Sequence, residues 1–533
     1  MTGRLTLTWA NKDRALLSHG ESGYEWVDRD DPRAREVRLL NEVDRVGEVA
    51  GDASDNLLIR GDSLDALRAL VHTPELAAEF RGKVKLVYID PPFNTGQAFE
   101  HYDDSLEHSV WLGMMRERLV LIKELLSPEG SVWVHLDDAE MAYCKVLMDE
   151  IFGRQNFVAS LVWQKADTVR NDATRFSSAH DIILVSAADI QNWRASRLPR
   201  SERMNKVYRN PDKDPRGPWL AVPLQGPNIR PNLTYPVVSP KTGKSHMPPA
   251  GNCWRRSKSE VEQMIAEGRI YFGKDGNGVP QIKKFLTEVG DSVPSTVWQV
   301  GEVGGNRQSK SEMRLLFPDK VPFATPKPER FVERVIQVGS NSGDIVLDCF
   351  AGSGTTAAVA QKMGRRWVTV ELSENTADTF TKPRLEKVVA GEDPGGITES
   401  AGWTGGGGFR DLRIAPSTWK VLDSDAGLEV YRAEGADTAT LRRAVAAQLG
   451  YALIEHPVFT GVRGRSRLAV VDGVVDATAV ADIVAALAEG ETALVAGTSV
   501  TDDAKSTLRE LNKGSRILRI PRDLFPRTAA VTR

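Results

Sequence analysis

A chain of 533 residues, 41% apolar and 26% charged, is too long for one core and is composed like an ordinary globular protein, so two to four domains are expected and a disordered or fibrous class does not fit. No apolar run approaches the roughly 20 residues that span a bilayer, and the opening MTGRLTLTWANKDR lacks a signal-peptide apolar stretch, so a cytoplasmic protein with no membrane partner is expected. The net charge of −3 argues against a strongly basic protein, yet residues 161–260 hold 17 Lys and Arg against 8 Asp and Glu, and that local excess points to an anionic partner.

Residues 1–55 are polar and charge-rich, and read as a partly helical extension without chemistry of its own. Asn56 to Arg60 (NLLIR) reads as a strand, followed by Gly61-Asp62-Ser63 and a helix to about Leu70. Asp62 is placed to accept a hydrogen bond from a ligand, and a helix N-cap explains it equally well. Val84 to Ile89 forms a short apolar run typical of a buried parallel strand. It stops at Asp90-Pro91-Pro92-Phe93, where two prolines force a stiff, extended turn. A carboxylate, a proline carbonyl and an aromatic ring thus sit at the carboxyl end of a strand, where ligands bind in open α/β sheets.

An amphipathic helix from about Val110 to Leu126 and a strand from Ser131 to Leu136 complete a half-sheet over 56–163. His135 on that strand reads as a satisfied core or supporting histidine rather than a catalytic one. Alternating strands and helices predict a doubly wound parallel sheet. Residues 164–320 change texture, with arginine, proline, glycine and scattered tryptophan (Trp193, Trp219, Trp254, Trp298). Guanidinium groups interleaved with rings suit a nucleic-acid-reading surface.

The periodic pattern returns over 321–400. Pro322 to Glu333 leads by a helix into a strand at Asp344–Asp348, then Cys349 to Thr356, a helix over Ala357–Lys362 and a strand at Arg366–Glu371. Strand, glycine loop and helix in series let backbone approach a cofactor closely. Gly405 to Gly408 reads as a flexible break, and residues 415–533 as a small, separate α/β domain of unreadable function.

Gly352-x-Gly354-x-x-Ala357 with Glu371 downstream nearly matches a dinucleotide fingerprint, so a nicotinamide-dependent dehydrogenase competes on that evidence. It leaves Asp-Pro-Pro-Phe unexplained and offers no accompanying His, Lys or Tyr set. S-adenosylmethionine explains both motifs: Glu371 for its ribose hydroxyls, the Phe350–Gly354 loop for its methionine portion, and the Asp90 turn to present an amine to the methyl group. An exocyclic base amine is a poor nucleophile because its lone pair is delocalised. Asp90 and the Pro91 carbonyl accepting its two N–H bonds let the nitrogen pyramidalise, with Phe93 stacked on a base flipped from the duplex. Cytosine-C5 methylation needs a cysteine nucleophile after proline, whereas Cys144, Cys253 and Cys349 follow Tyr, Asn and Asp. The three cysteines also lack any disulfide or zinc spacing.

On DPPFNTG (90–96), TPKPE (325–329), DCFAGSGTT (348–356) and, less specifically, GGGGFR (405–410), the chain resembles the beta-class DNA amino-methyltransferases, most of all the modification subunits of type III restriction–modification systems. The resemblance covers roughly residues 20–415. It implies a Rossmann-like S-adenosylmethionine-dependent methyltransferase sheet with permuted motif order, a catalytic motif preceding the cofactor motif, and a target-recognition region inserted between them. It implies that Asp90, Pro91, Pro92 and Phe93 hold the target adenine of double-stranded DNA. It further implies that Asp62, Lys327, Asp348, Phe350, Ala351, Gly352, Ser353, Gly354, Thr355 and Glu371 surround the cofactor. Cys349 stands where many relatives carry Pro or Phe. Asp-Pro-Pro-Phe is the usual form in adenine-N6 enzymes, and cytosine-N4 enzymes more often begin with Ser; the N4 product, and a specificity subunit with a decayed site, stay open alternatives. A homodimer is expected, and because no P-loop or nuclease motif is found, any restriction motor and nuclease would be a separate chain.

Overall fold

The computed structural model describes residues 5–19, 23–94, 98–99, 102–103, 107–169, 174–424 and 427–525. They form two compact units, one comprising Ser196–Pro294 and the other the described residues on either side of it.

The larger unit is built on a ten-stranded sheet. In chain order its strands are β1 (Leu40–Gly47), β2 (Asn56–Arg60), β3 (Val84–Ile89), β4 (Leu126–Leu136), β5 (Phe157–Gln164), β6 (His180–Ala187), β7 (Val297–Trp298), β8 (Ile345–Asp348), β9 (Arg366–Glu371) and β10 (Gly408–Ile414). The spatial order is β7-β5-β6-β4-β3-β8-β9-β2-β10-β1. Its centre, from β4 to β10, is parallel, while β5–β6 and β1 add antiparallel flanks.

Period-two alternation divides the apolar residues between the two faces. Leu57, Ile59, Val87, Ile89, Leu347 and Val370 join one core with helices α1 (Ser63–His72) and α2 (His108–Leu125). Leu86 and Tyr88 point to the other face, towards α4 (Glu329–Gly339). A Cβ at Gly339 would come within 2.9 Å of a Leu86 methyl, so glycine lets helix and strand approach without displacing that side chain. Helix α5 (Thr355–Lys362) follows β8, and α6 (Lys382–Ala390) and α3 (Asn306–Leu316) pack nearby.

The N-terminal stretch differs from its expected partly helical form. Its described residues contain a hairpin of Ala15–Ser18 with Tyr24–Val27, one helical turn at Pro32–Arg35, and then β1. The hairpin buries Leu16 and Val27, and β1 takes its conformation from pairing with β10, so tertiary contact overrides the helical preference of its charged residues. Gly405 to Gly408 is likewise no flexible break. Gly406 N–H donates to Val389 carbonyl at 2.8 Å, Gln361 donates to Gly406 carbonyl at 2.9 Å, and Gly408 begins a central strand.

Within 164–320, β6 and β7 belong to the main sheet. The compact unit Ser196–Pro294 has a three-stranded sheet (Trp219–Pro223, Gln281–Phe285, Ile270–Tyr271) and a small core around Leu224, Val237, Trp254, Val261, Ile270 and Phe272. Arg203, Lys206, Arg209, Arg230 and Arg255 are exposed there and have no acidic partner among the described residues. Beyond residue 415 a five-stranded sheet carries two apolar clusters of its own, and it is tied to the N-terminal segment where Val37 and Leu39 pack on Ala444 and Ala447. Among the described residues, no helix is long and apolar enough to cross a membrane.

Candidate active site

Four neighbouring parallel strands bring four acids to one edge of the sheet. Asp90 follows β3, Asp348 ends β8, Glu371 ends β9 and Asp62 follows β2. β3 and β8 pair directly in parallel (Leu86 with Val346, Val87 with Leu347), so their carboxyl ends lie side by side. From here β3 leads on to β4 on one side and β8 to β9 on the other. That is a switch point, where a crevice opens between diverging connections.

The turn after β3 is stiff by composition and is pinned from α2. Trp111 Nε1–H donates to the Pro92 carbonyl at 2.7 Å, and Asn94 donates to Glu140 at 2.7 Å. Thr95 and Gly96, the rest of the expected motif, lie outside the described residues. Pro91 is buried, Pro92 and Phe93 half-buried. The Pro91 carbonyl has no donor among the described residues, whereas one oxygen of Asp90 pairs with the Lys327 ammonium. The other oxygen, Oδ1, is buried without a hydrogen-bond partner among the described residues. An unmet buried acceptor costs about 1–3 kcal/mol, so it is a ready seat for a ligand N–H.

The loop after β8 is a tight cradle. Gly352 and Gly354 have φ of +52° and +75°, a region that favours glycine, and a Cβ at Gly354 would crowd Thr381 at 3.2 Å. Asp348 accepts from Phe350 N–H at 2.9 Å, Glu371 accepts from Gly352 N–H at 2.8 Å, and Thr381 donates to the Gly352 carbonyl at 2.7 Å. Burial pushes the Asp348 carboxyl up to about 7, against hydrogen bonds from Thr356 and Phe350. Burial likewise pushes Glu371 up to about 7, against the N–H groups of Ser373 and Gly352. A hydroxyl-bearing ligand donating to Glu371, with its polar end on the backbone of Phe350–Gly354, fits this set.

Of the two readings of Asp62, the structure shows the helix N-cap. Asp62 caps α1 through Leu64 N–H at 2.7 Å and also receives Arg118 at 2.8 and 3.0 Å. Arg118 is buried, also donates to Ser63 Oγ at 2.6 Å, and lies 5.9 Å from the Phe350 ring. Sequence reasoning missed it. Its signal is an arginine within the apolar stripe of α2, between Met115 and Leu119. Lys327 sits where the two loops meet: beyond its ion pair with Asp90, its ammonium is 5.3 Å from the Phe93 centroid, and its carbonyl accepts from Thr355 at 3.5 Å.

A second unforeseen group supports the cradle. Arg384 donates to Thr355 Oγ1 and to Glu329, both at 2.8 Å, and Lys362 pairs with Glu329 at 2.7 Å and Asp393 at 2.6 Å. All four charged groups are buried. The three cysteines are free and buried; burial raises the Cys144 and Cys349 thiols far above neutrality, so neither supplies a thiolate.

The family described as DNA methylase matches residues 84–382. The Mod subunit of the type III restriction-modification enzyme StyLTI from Salmonella typhimurium is 29% identical over 426 residues, 69% of this chain and 62% of that protein. The type II methyltransferase M.EcaI of Enterobacter cloacae is 30% identical over 308 residues, 56% of this chain and 64% of that protein. The EcoP15I Mod subunit of Escherichia coli is 28% identical over 399 residues, 61% of this chain and 60% of that protein. The chain spans less than two thirds of the length of each of these relatives.

Proposed function

The chain belongs to the DNA methylase family, and from that premise we propose that it is a site-specific DNA methyltransferase acting on the exocyclic N6 amine of adenine in double-stranded DNA. The observation that carries this reading is the meeting of two loops at one sheet edge: the Asp90 turn, with its unmet acceptor, beside the Gly352 cradle, with Lys327 touching both. Bound S-adenosylmethionine would supply an electrophilic methyl group on a sulfonium. In this reading Glu371 receives the ribose hydroxyls, the backbone of Phe350, Ala351, Gly352, Ser353 and Gly354 lies along the methionine portion with Asp348 and Thr355 behind it, and Asp62 completes the set.

The target base is flipped out of the duplex and stacks on Phe93. Asp90 Oδ1 accepts one N–H of its amine and the Pro91 carbonyl the other. Two acceptors on one nitrogen draw it towards a tetrahedral shape, which frees its lone pair from the ring. With the Lys327 ammonium on its other oxygen, Asp90 accepts through Oδ1 while the bond forms and then takes the proton that the methylated amine sheds. Placement and fixed dipoles thus do most of the chemistry. The buried thiols of Cys144 and Cys349, raised far above neutrality, fit this amine chemistry better than attack at cytosine C5.

Ser196–Pro294, with its exposed arginines, is the proposed target-recognition unit. Its relatives' names support a role beside a restriction subunit in trans, and a homodimer completes the proposal. A cytosine-N4 product is the second reading, because the family shares one chemistry for both amines; the Asp-Pro-Pro-Phe form favours adenine. Mass analysis of nucleosides from unmodified DNA incubated with the protein and methyl-labelled cofactor decides: labelled N6-methyldeoxyadenosine is expected, and labelled N4-methyldeoxycytidine would replace adenine by cytosine.

A further inference from the structure

The chemistry above leaves one buried polar network unused. Tyr88 on β3, His135 on β4 and Asp181 on β6 come from three neighbouring strands. The Tyr88 hydroxyl is 2.8 Å from His135 Nδ1, His135 Nε2 is 3.3 Å from Asp181 Oδ2, and Lys165 Nζ is 2.7 Å from Asp181 Oδ1. Burial works to raise Asp181, but the His135 hydrogen bond and the Lys165 charge outweigh it and hold the carboxyl down at about 2. Burial, then the Lys327 charge, keeps His135 below its ordinary range, hence neutral. An ionised carboxylate only accepts, so Nε2 carries the imidazole proton and Tyr88 donates to Nδ1. Trp163 and Phe331 meet the ring edge-on at 5.4 Å each.

Such a network in mid-sheet costs free energy that apolar side chains of the same size would avoid. What it presents outward is one flat surface: the imidazole lies nearly parallel to the Phe93 ring, 22° between planes and 5.7 Å between centroids. We propose that His135, locked by Tyr88 and Asp181, is a positioning residue that sets the plane of Phe93, so that the flipped base stacks on a ring already aligned with Asp90. The inference rests on Phe93 being the base platform. A ring free to turn would have to be ordered at every turnover, and an error of about 1 Å at the reacting amine costs roughly a hundredfold in rate.

The test compares turnover at saturating unmodified plasmid DNA with cofactor binding by calorimetry. His135→Gln keeps hydrogen-bonding groups but removes the ring; it is expected to lower kcat about ten- to a hundredfold while the dissociation constant for S-adenosylmethionine stays within about twofold. Tyr88→Phe removes a single hydroxyl, carries the test if His135→Gln does not fold, and is expected to lower kcat by a smaller factor. A Tyr88→Phe/His135→Phe double variant restores a ring beneath Phe93 without an exchangeable proton, and is expected to recover turnover to within about tenfold of wild type. A double variant as inactive as His135→Gln would mean a proton route in place of a platform and overturn the proposal. Phe93→Leu separates the layers. If it turns over like wild type, the platform reading itself fails; if it is impaired while folded His135→Gln and Tyr88→Phe are not, only the role of His135 falls.

Discussion

At the scale of single residues, the acids at the sheet edge divide the labour through their surroundings. Asp90 has an ammonium beside it and one oxygen in reserve, whereas Asp348 and Glu371 are held by burial at about 7. A carboxyl raised in this way keeps its proton when folded and loses it when unfolded, so its stability contribution is present at low pH and fades as pH rises from 3.8 (Asp348) or 4.5 (Glu371) towards about 7. The ionised form is the better acceptor for ribose hydroxyls. Cofactor affinity is therefore expected to strengthen by up to about tenfold per pH unit as pH rises towards 7 and to level off above it. Calorimetry across pH 5.5–8.5 checks this, and an affinity flat across neutrality would remove Glu371 from the binding set. Asp90, Gly352 and Glu371 were legible in the sequence because each sits beside a glycine, a proline or a strand end. Arg118 and Arg384 were not, since a buried arginine in a helix reads like a surface one until its partners, Asp62 and Glu329, are brought to it by the fold.

At the scale of elements, the cradle is held from behind by charge. Lys362 on α5 is wholly buried between Glu329 on α4 and Asp393, and Arg384 on α6 joins Glu329 to the first residue of α5. Removing one partner of a buried ionic group strands the others. Lys362→Met should cost about 3–5 kcal/mol in chemical denaturation, and a loss under about 1 kcal/mol would mean that water reaches Glu329 and Asp393. The parallel strands β2, β3, β8 and β9 were readable because burial on both faces demands continuous apolar runs. The N-terminal hairpin was not: its four-residue strands carry no periodicity, and β1 exposes most of its side chains, so only pairing with β10 makes it a strand. β6, an apolar run, was lost in the arginine-rich texture around it. The glycines at 405–408 suggested flexibility because sequence cannot tell a glycine that frees the chain from one that lets another backbone approach.

At the scale of the whole molecule, one sheet is assembled from two stretches of chain with the Ser196–Pro294 unit between them in sequence. Leu198 and Ser292 bridge each other, so the unit leaves and returns at one place. Replacing residues 199–291 by a short Gly/Ser linker is expected to keep cofactor binding and abolish specific DNA binding. Retained specificity, scored in a gel-shift assay against competitor DNA, would move recognition elsewhere in the chain. In the intact protein, DNA affinity should fall steeply with salt, as phosphate contacts from arginines require.

The central claim is that the turn after β3 and the loop after β8 form one site for methyl transfer through Asp90. Its most direct test is Asp90→Ala, assayed for transfer of labelled methyl to unmodified DNA alongside cofactor and DNA binding. Loss of transfer by at least about a thousandfold, with both binding constants within a few-fold of wild type, is the predicted result; undiminished transfer by the folded variant would contradict the account.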